Sequence, residues 1–348
     1  MHQIKTALCS YGMSGKLFHA PFLHIHPGFE LYAVWERSKK VIQNDYPGVK
    51  SYSSYEEILQ DQHIELLVIN TPNYTHFEFA KKALLAGKHI IVEKPFCNTI
   101  AECDKLIALA KEKKKLISVF QNRRWDSDFK TVQKIIKEGS LGKIVEAEIR
   151  FDRYSEALSP KLHKETPGPG AGILYDLGPH LIDQALLLFG MPDALFADLA
   201  IMRSHSKVDD YFELLLFYPG MRVRLKAGCL VRESVPAYII HGHQGSFIKP
   251  RADIQEEILK AGQIPGTDNW GTEPESGQGI LHTLVNGEII RQKVISLRGN
   301  YQTYYDLLYR ALTANEPPPV SSVEGRNIIY IIENALESFF TKAIVALV

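Results

Sequence analysis

Three short stretches of this 348-residue chain gather side chains able to move a proton or hold a charged ligand. In Val92-Glu93-Lys94-Pro95 a lysine leaves an apolar run. Such a lysine is commonly just chain emerging into solvent. In a cleft beside a cationic ring it would be desolvated and repelled by like charge, and both effects lower its pKa and make it a proton acceptor. In Tyr175-Asp176-Leu177-Gly178-Pro179-His180, the aspartate and histidine lie four apart, on one face of a helix. Histidine titrates near neutrality, and a carboxylate one turn away orients it and stabilises its charged form. The competing account is an N-cap aspartate with a partly buried structural histidine.

The third stretch is Ser10-Tyr11-Gly12-Met13-Ser14-Gly15, a G-x-G-x-x-G pattern with serine at its first position. Gly12 lets the backbone approach a pyrophosphate. Gly15 lets the following helix pack close to the strand, with its N-terminal amides facing the phosphate charge. A glycine-rich turn is often only a turn, but Glu36 follows Gly15 by twenty-one residues, near the spacing of a ribose-binding acid. A carboxylate there accepts both adenosine-ribose hydroxyls and repels a 2′-phosphate, by about 4 kcal/mol per charge pair at ~4 Å and an effective dielectric of ~20. That favours NAD. Arg37, Ser38, Lys39 and Lys40 follow at once, and a guanidinium suits the 2′-phosphate of NADP. The same run also reads as a solvated helix start, and the balance leans to NAD.

Elements must carry these residues to one place. Strands are expected at 4–9, 29–35, 64–70, 89–92 and 116–120, with helices at 55–60, 75–86 and 99–114 between them. Thr99 with Glu102 has the spacing of a capping box at the start of the last helix. Strands alternating with helices mean βαβ units and a parallel sheet. Its carboxyl edge is where ligands of open α/β sheets lie, and Thr71-Pro72-Asn73-Tyr74-Thr75-His76 sits at that edge, although Pro-Asn is also an ordinary turn. After Asn122 the pattern changes to a helix (129–138), a strand (143–151), a helix (176–189) and longer strands at 195–203, 211–217, 222–230 and 237–241. Strands 281–285 and 288–295 flank Asn286-Gly287, a two-residue hairpin turn with positive φ at both positions. Closing helices are expected at 301–313 and 322–341. The chain is therefore α/β: a doubly wound parallel sheet at 1–122, then an α+β domain with a large, mostly antiparallel sheet at 123–348.

Composition bounds the partners. With 45% hydrophobic and 23% charged residues, and forty basic side chains against forty acidic, there is no basic excess for nucleic acid or a membrane surface. The four cysteines form no C-x-x-C pair, and no signal-like segment opens the chain, so a reducing cytoplasm is expected. His24-Ile25-His26 and His241-Gly242-His243 have no acidic or cysteine partner at ligand spacing, so no metal is expected.

Taken in order, Gly12-x-x-Gly15, Thr71-Pro72-Asn73-x-x-His76, Glu93-Lys94-Pro95, Asn122-Arg123-Arg124-Trp125 and Asp176-x-x-x-His180 resemble the Gfo/Idh/MocA oxidoreductases, nearest their scyllo-inositol dehydrogenase-like subgroup. The resemblance covers essentially the whole chain. It implies an NAD(P)-dependent dehydrogenase of a sugar or cyclic polyol, with hydride passing between nicotinamide and a secondary alcohol carbon. By that resemblance Lys94 is the central catalytic residue, and the Lys94–Pro95 bond is cis. His180 handles the hydroxyl proton, and Asp176 positions substrate and histidine. Gly12, Met13, Ser14, Gly15, Glu36, Arg37, Thr71, Pro72, Asn73, His76, Glu93, Lys94, Asn122 and Arg123 hold the cofactor. Arg153 and Tyr154 join Lys94, Asp176 and His180 at the substrate. A homodimer or larger oligomer is implied. The same scaffold also hosts non-catalytic dinucleotide-sensing regulators and NAD-dependent glycosidases. Retention of Lys94, Asp176 and His180 argues against the regulator, and a glycoside-cleavage assay separates the glycosidase.

Overall fold

The computed structural model describes residues 2–37 and 40–347, with backbone alone at Leu162 and His163. The chain forms two compact units: Met1–Asn122 with Gln255–Trp270 and Tyr301–Ile329, and Arg123–Ile254 with Gly271–Asn300 and Tyr330–Val348. The expected cut after Asn122 is where the chain first leaves the first unit, but the chain returns to it twice. Aromatic packing explains the returns. Phe22 is covered by Trp270 and stacked on Tyr305 at 5.5 Å between centroids, Phe18 meets Tyr301, and Phe120 meets Tyr304.

The first unit is built on six parallel strands: β1 (Ile4–Leu8), β2 (Phe29–Trp35), β3 (Lys50–Tyr52), β4 (Leu66–Ile69), β5 (His89–Glu93) and β6 (Ile117–Phe120). Their order is β3-β2-β1-β4-β5-β6. Chain order reverses beside β1, the switch point at which such sheets bind ligands. Every residue of β4 and β6 is buried, as helices on both faces require. The strand β3 went unseen because Lys-Ser-Tyr carries no apolar run. The helix Ile100–Lys113 begins as expected: Glu102 N–H donates to Thr99 Oγ1, while Thr99 N–H donates to Glu102 Oε2.

The second unit holds a nine-stranded sheet: β7 (Ile144–Arg150), β8 (Ala194–Ala200), β9 (Tyr211–Tyr218), β10 (Met221–Gly228), β11 (Tyr238–Gly242), β12 (Gly245–Lys249), β13 (Gly279–Val285), β14 (Glu288–Val294) and β15 (Val345–Ala346). The order is β14-β13-β12-β11-β7-β10-β9-β8-β15, antiparallel throughout except where β7 runs parallel to β10. Strict alternation along β9 buries Phe212, Leu214 and Leu216, and the helix Gly178–Phe189 buries Leu181, Ile182 and Ala185. The hairpin turn is as expected, with φ of 51° at Asn286 and 85° at Gly287. The strand β12 was missed because its turn, Gly242 to Gln244, was not read as a hairpin. Among the described residues no helix is long and apolar enough to cross a membrane.

Candidate active site

The loop after β1 shows why serine serves at the first glycine position. Neither Ser10, Gly12 nor Gly15 has positive φ, and Ser10 Oγ accepts the Gly12 N–H at 3.0 Å. Gly15 is needed for space: a Cβ there would lie 2.2 Å from the Ser10 carbonyl oxygen and 2.8 Å from Asn70 Nδ2. The turn that follows, Gly15–His19, is one residue wider than α-helical, with Ala20 N–H bonding to the Gly15 carbonyl. Gly12 and Met13 are exposed on the crest, and Ser14 is half-buried.

At the end of β4, the buried Asn70 donates its Nδ2 to the Ser10 carbonyl at 2.8 Å. Its buried Oδ1 has no partner among the described residues. An orphaned buried acceptor is costly, so the position suits a ligand hydroxyl or amide. The glycine turn and this acceptor fit a dinucleotide.

Glu36 has different partners from those its spacing suggests. It is 7% exposed; Oε1 accepts the N–H groups of Val41 and Ile42 at 2.9 and 3.3 Å, and Oε2 accepts the Ser51 hydroxyl at 2.8 Å. Both oxygens are thus committed to the turn after β2 and to β3. Arg37 and Lys40 are exposed, whereas Ser38 and Lys39 lie outside the described residues.

Two turns of the same edge are clamped together by His76. Its ring is buried, with Nδ1 2.8 Å from the Pro95 carbonyl and Nε2 2.9 Å from the Thr71 carbonyl. Burial lowers its pKa, against the opposing pull of those carbonyls and of Glu93. His76 therefore braces the site, while Pro72 is exposed and Thr71 and Asn73 are half-buried. The Lys94–Pro95 bond is cis. Glu93 Oε1 meets His19 Nε2 at 3.0 Å, and its Oε2 accepts the Lys94 N–H at 3.2 Å. Burial would raise the Glu93 pKa, but His19, Lys94 and His76 more than offset it and hold the carboxyl below its ordinary value. Asn122 is buried at the end of the first segment of this unit. His19 and Tyr305 were not singled out in the sequence; no motif spacing marks them, since Tyr305 is 286 residues further on.

In the second unit, Asp176 ends a short helix, Ile173–Asp176, instead of opening the apolar one, which runs Gly178–Phe189. The break falls at Leu177, ahead of Pro179, whose missing N–H suits a first helical turn. Asp176 Oδ1 accepts from Lys164 Nζ at 2.8 Å, and its Oδ2 lies 3.8 Å from Arg153 Nη1. Lys164 was missed because it stands in a segment without periodicity. His180 is 5% exposed. Arg153 and Tyr154 follow β7, tied to the end of β10 by Arg153 N–H to Gly228 carbonyl and to the segment after it by the Tyr154–Leu230 bridge. Arg232 stacks 3.9 Å over the Tyr154 ring. Arg123 belongs to this unit; it bonds Asp126 at 3.3 Å and lies over Phe151. The paired histidines serve locally: His26 faces Asp306, and His241 faces Ser246.

A switch-point cradle fitted to a dinucleotide, with a lysine at the same edge, defines an NAD(P)-dependent oxidoreductase. The sequence profile of the oxidoreductase family's NAD-binding Rossmann fold matches residues 4–121, and that of its C-terminal alpha/beta domain matches residues 133–347. This chain belongs to the Gfo/Idh/MocA family. It is 39% identical to the uncharacterized oxidoreductase YdgJ of Escherichia coli, over 99% of both chains. It is 37% identical to the scyllo-inositol 2-dehydrogenase (NADP(+)) IolW of Bacillus subtilis, over 99% of this chain and 96% of that one. The crystal structure of a Bacteroides fragilis protein, 44% identical, superposes with a TM-score of 0.91 over 99% of this chain and 100% of the other.

Proposed function

We propose that this oxidoreductase acts on a secondary alcohol, or the corresponding ketone, of a sugar or cyclic polyol. The observation that carries the reading is the arrangement around Asp176: a carboxylate held by Lys164 and near Arg153, at the head of the helix bearing His180. Such a carboxylate accepts hydroxyl hydrogens. The relationship to the inositol dehydrogenase of Bacillus subtilis supports the same substrate class.

Residues 12–15, Asn70, Thr71, Pro72, Asn73, Glu93 and Asn122 would hold the dinucleotide, which when bound supplies a hydride acceptor or donor. Lys94 and His180 take the hydroxyl proton on oxidation and return it on reduction. Asp176 orients the hydroxyl and the imidazole. His76 keeps the two turns of the cofactor edge in register through its bonds to Thr71 and Pro95.

The cofactor preference we assign is NADP. The spacing of Glu36 leans to NAD, but its carboxylate is committed to Val41, Ile42 and Ser51, while Arg37 is exposed at the same turn. An exposed guanidinium is free to pair with a 2′-phosphate. The oligomer belongs to this proposal too: the less buried face of the second sheet carries Leu215, Phe217 and Ile248, and sedimentation should find more than one subunit.

The test is a titration with NADPH and NADH followed by nicotinamide fluorescence, then oxidation of a polyol panel with the tighter partner. NADPH should bind more tightly, at least one polyol should be oxidised, and Lys94→Ala should abolish turnover while changing the NADPH Kd by less than about threefold. Tighter NADH binding would overturn the cofactor assignment. Turnover by the Lys94→Ala enzyme would overturn the role of the lysine.

A further inference from the structure

Behind Lys94 lies a buried polar chain that the expected reaction does not use. His19 is fully buried at the end of the widened turn after the glycine loop. Widened turns of this kind recur at functional sites. Its Nε2 lies 3.0 Å from Glu93 Oε1, its Nδ1 lies 3.0 Å from the Tyr305 hydroxyl, and its ring packs 4.3 Å from Phe120 between centroids. Tyr305 is fully buried and donates to the Phe18 carbonyl at 2.5 Å.

The phenol has one hydrogen, and an oxygen–oxygen approach of 2.5 Å points it toward Phe18. On the other side an ionised Glu93 can only accept, so His19 Nε2 donates to it. Burial pushes the Tyr305 phenol well above its ordinary pKa, so it keeps its hydrogen.

We propose that Tyr305 and His19 are positioning residues that fix Glu93 as a carboxylate beside Lys94, and that this anion raises the affinity of the site for oxidised over reduced dinucleotide. The inference rests on the reading of this edge as the dinucleotide site. The physical reason is charge: the oxidised nicotinamide ring carries a positive charge that the reduced ring lacks, and Lys94 would repel it. A fixed anion whose second oxygen is tied to the Lys94 N–H offsets that repulsion. The groups facing Glu93 are His19, Lys94 and, further off, His76. His19→Gln takes away the imidazole that holds the buried Glu93 carboxyl below its ordinary pKa, so its protonated form is favoured. Tyr305→Phe removes the hydroxyl that holds His19 Nδ1 and loosens the ring against Glu93.

The experiment measures Kd for oxidised and reduced dinucleotide by calorimetry in the full-length protein and both variants. The ratio of oxidised to reduced Kd should rise by about tenfold in His19→Gln and by about threefold in Tyr305→Phe, with reduced-form affinity held within about twofold. Nitrogen-15 spectra of the histidine-labelled wild-type protein should show a His19 signal whose Nε2 bears a hydrogen, and that signal should be absent in His19→Gln. Tyr305→Phe leaves the packing against Phe22 intact and keeps the test open should His19→Gln fail to fold. An unchanged ratio in a folded variant, with both forms bound by the wild type, overturns this inference alone. Binding of neither form by the wild type overturns the dinucleotide reading and this inference with it.

Discussion

Gly15 leaves no room for a side chain, because an added Cβ would stand 2.2 Å from the Ser10 carbonyl oxygen, which belongs to backbone and has little freedom to yield. Gly15→Ala is therefore expected to cost about 1–3 kcal/mol of stability, typical of overpacking, and to weaken dinucleotide binding at least tenfold. A thermal melt and a fluorescence titration check both. Glu36 calls for a different pair of variants. Glu36→Ala removes the acceptor for two backbone N–H groups and a hydroxyl and should destabilise by about 1–3 kcal/mol. Glu36→Gln keeps one acceptor oxygen for the turn and an amide for the Ser51 hydroxyl, and should bind NADPH within about twofold of wild type. Were Glu36 a ribose ligand, NADH affinity would fall selectively in Glu36→Gln. At this scale the sequence reveals residue type and spacing but not which neighbours a side chain has already engaged. Gly15 was legible because its reason is local. Glu36 and His76 were half-legible: their partners, Ser51 and Pro95, are set by strand pairing and by a turn nineteen residues away.

Elements with their own start signals were readable, as the Thr99–Glu102 capping box shows. The helix carrying Asp176 was not, because its start is set from outside. Leu174 N–H donates to Asp209 Oδ2 and Ile173 N–H to the Asp209 carbonyl, thirty-five residues away in the first case, across a turn held by Gly172 at φ 86°. Burial pushes the Asp209 carboxyl up to about 6 from its ordinary 3.8, with the bond from Leu174 opposing. The folded state then binds the proton more tightly than the unfolded chain. Stability from this group is present below the unfolded value and is lost as pH rises from about 4 through about 6, worth about 3 kcal/mol. In the first unit His89 behaves oppositely. Burial lowers it to about 4, consistent with its Nδ1 accepting the Leu116 N–H at 3.0 Å. The unfolded chain protonates first, so stability is lost as pH falls from the ordinary 6.5 toward 4, by about 2 kcal/mol after allowing for solvent screening. Urea unfolding reads the sum of the two: the stability at pH 4 relative to pH 7 should fall by about 3 kcal/mol in Asp209→Asn and rise by about 2 kcal/mol in His89→Gln. An unchanged difference in both variants would remove these two groups as the source of the pH dependence.

The first unit takes in more than the stretch that ends where the sequence grammar changes. Alternating strands and helices end near Asn122, and that signal was legible because it is periodic. The two returning segments were not legible, because nothing in their own pattern says which core they cover. Trp270, Tyr301, Tyr304 and Tyr305 are 6, 0, 0 and 0% exposed, and they lie against Phe18, Phe22 and Phe120 of the first segment. Each large side chain buried in this way is worth about 1.5–3 kcal/mol, so the four together contribute on the order of 10 kcal/mol. That is comparable with the entire stability of an ordinary domain, about 5–15 kcal/mol. Tyr304 adds a hydrogen bond to Ser118 on β6, and Tyr305 supplies the phenol behind His19. A fragment ending at residue 122 keeps all six strands of the parallel sheet and both glycines of the loop, yet it is expected to lack a cooperative thermal transition, to bind a hydrophobic dye and to show no dinucleotide binding. The strands would still form in part, so far-ultraviolet dichroism should retain structure while the near-ultraviolet signal of packed aromatics disappears. If the fragment instead melts cooperatively and binds the dinucleotide, the aromatic cover is dispensable, and the first 122 residues are a domain by themselves.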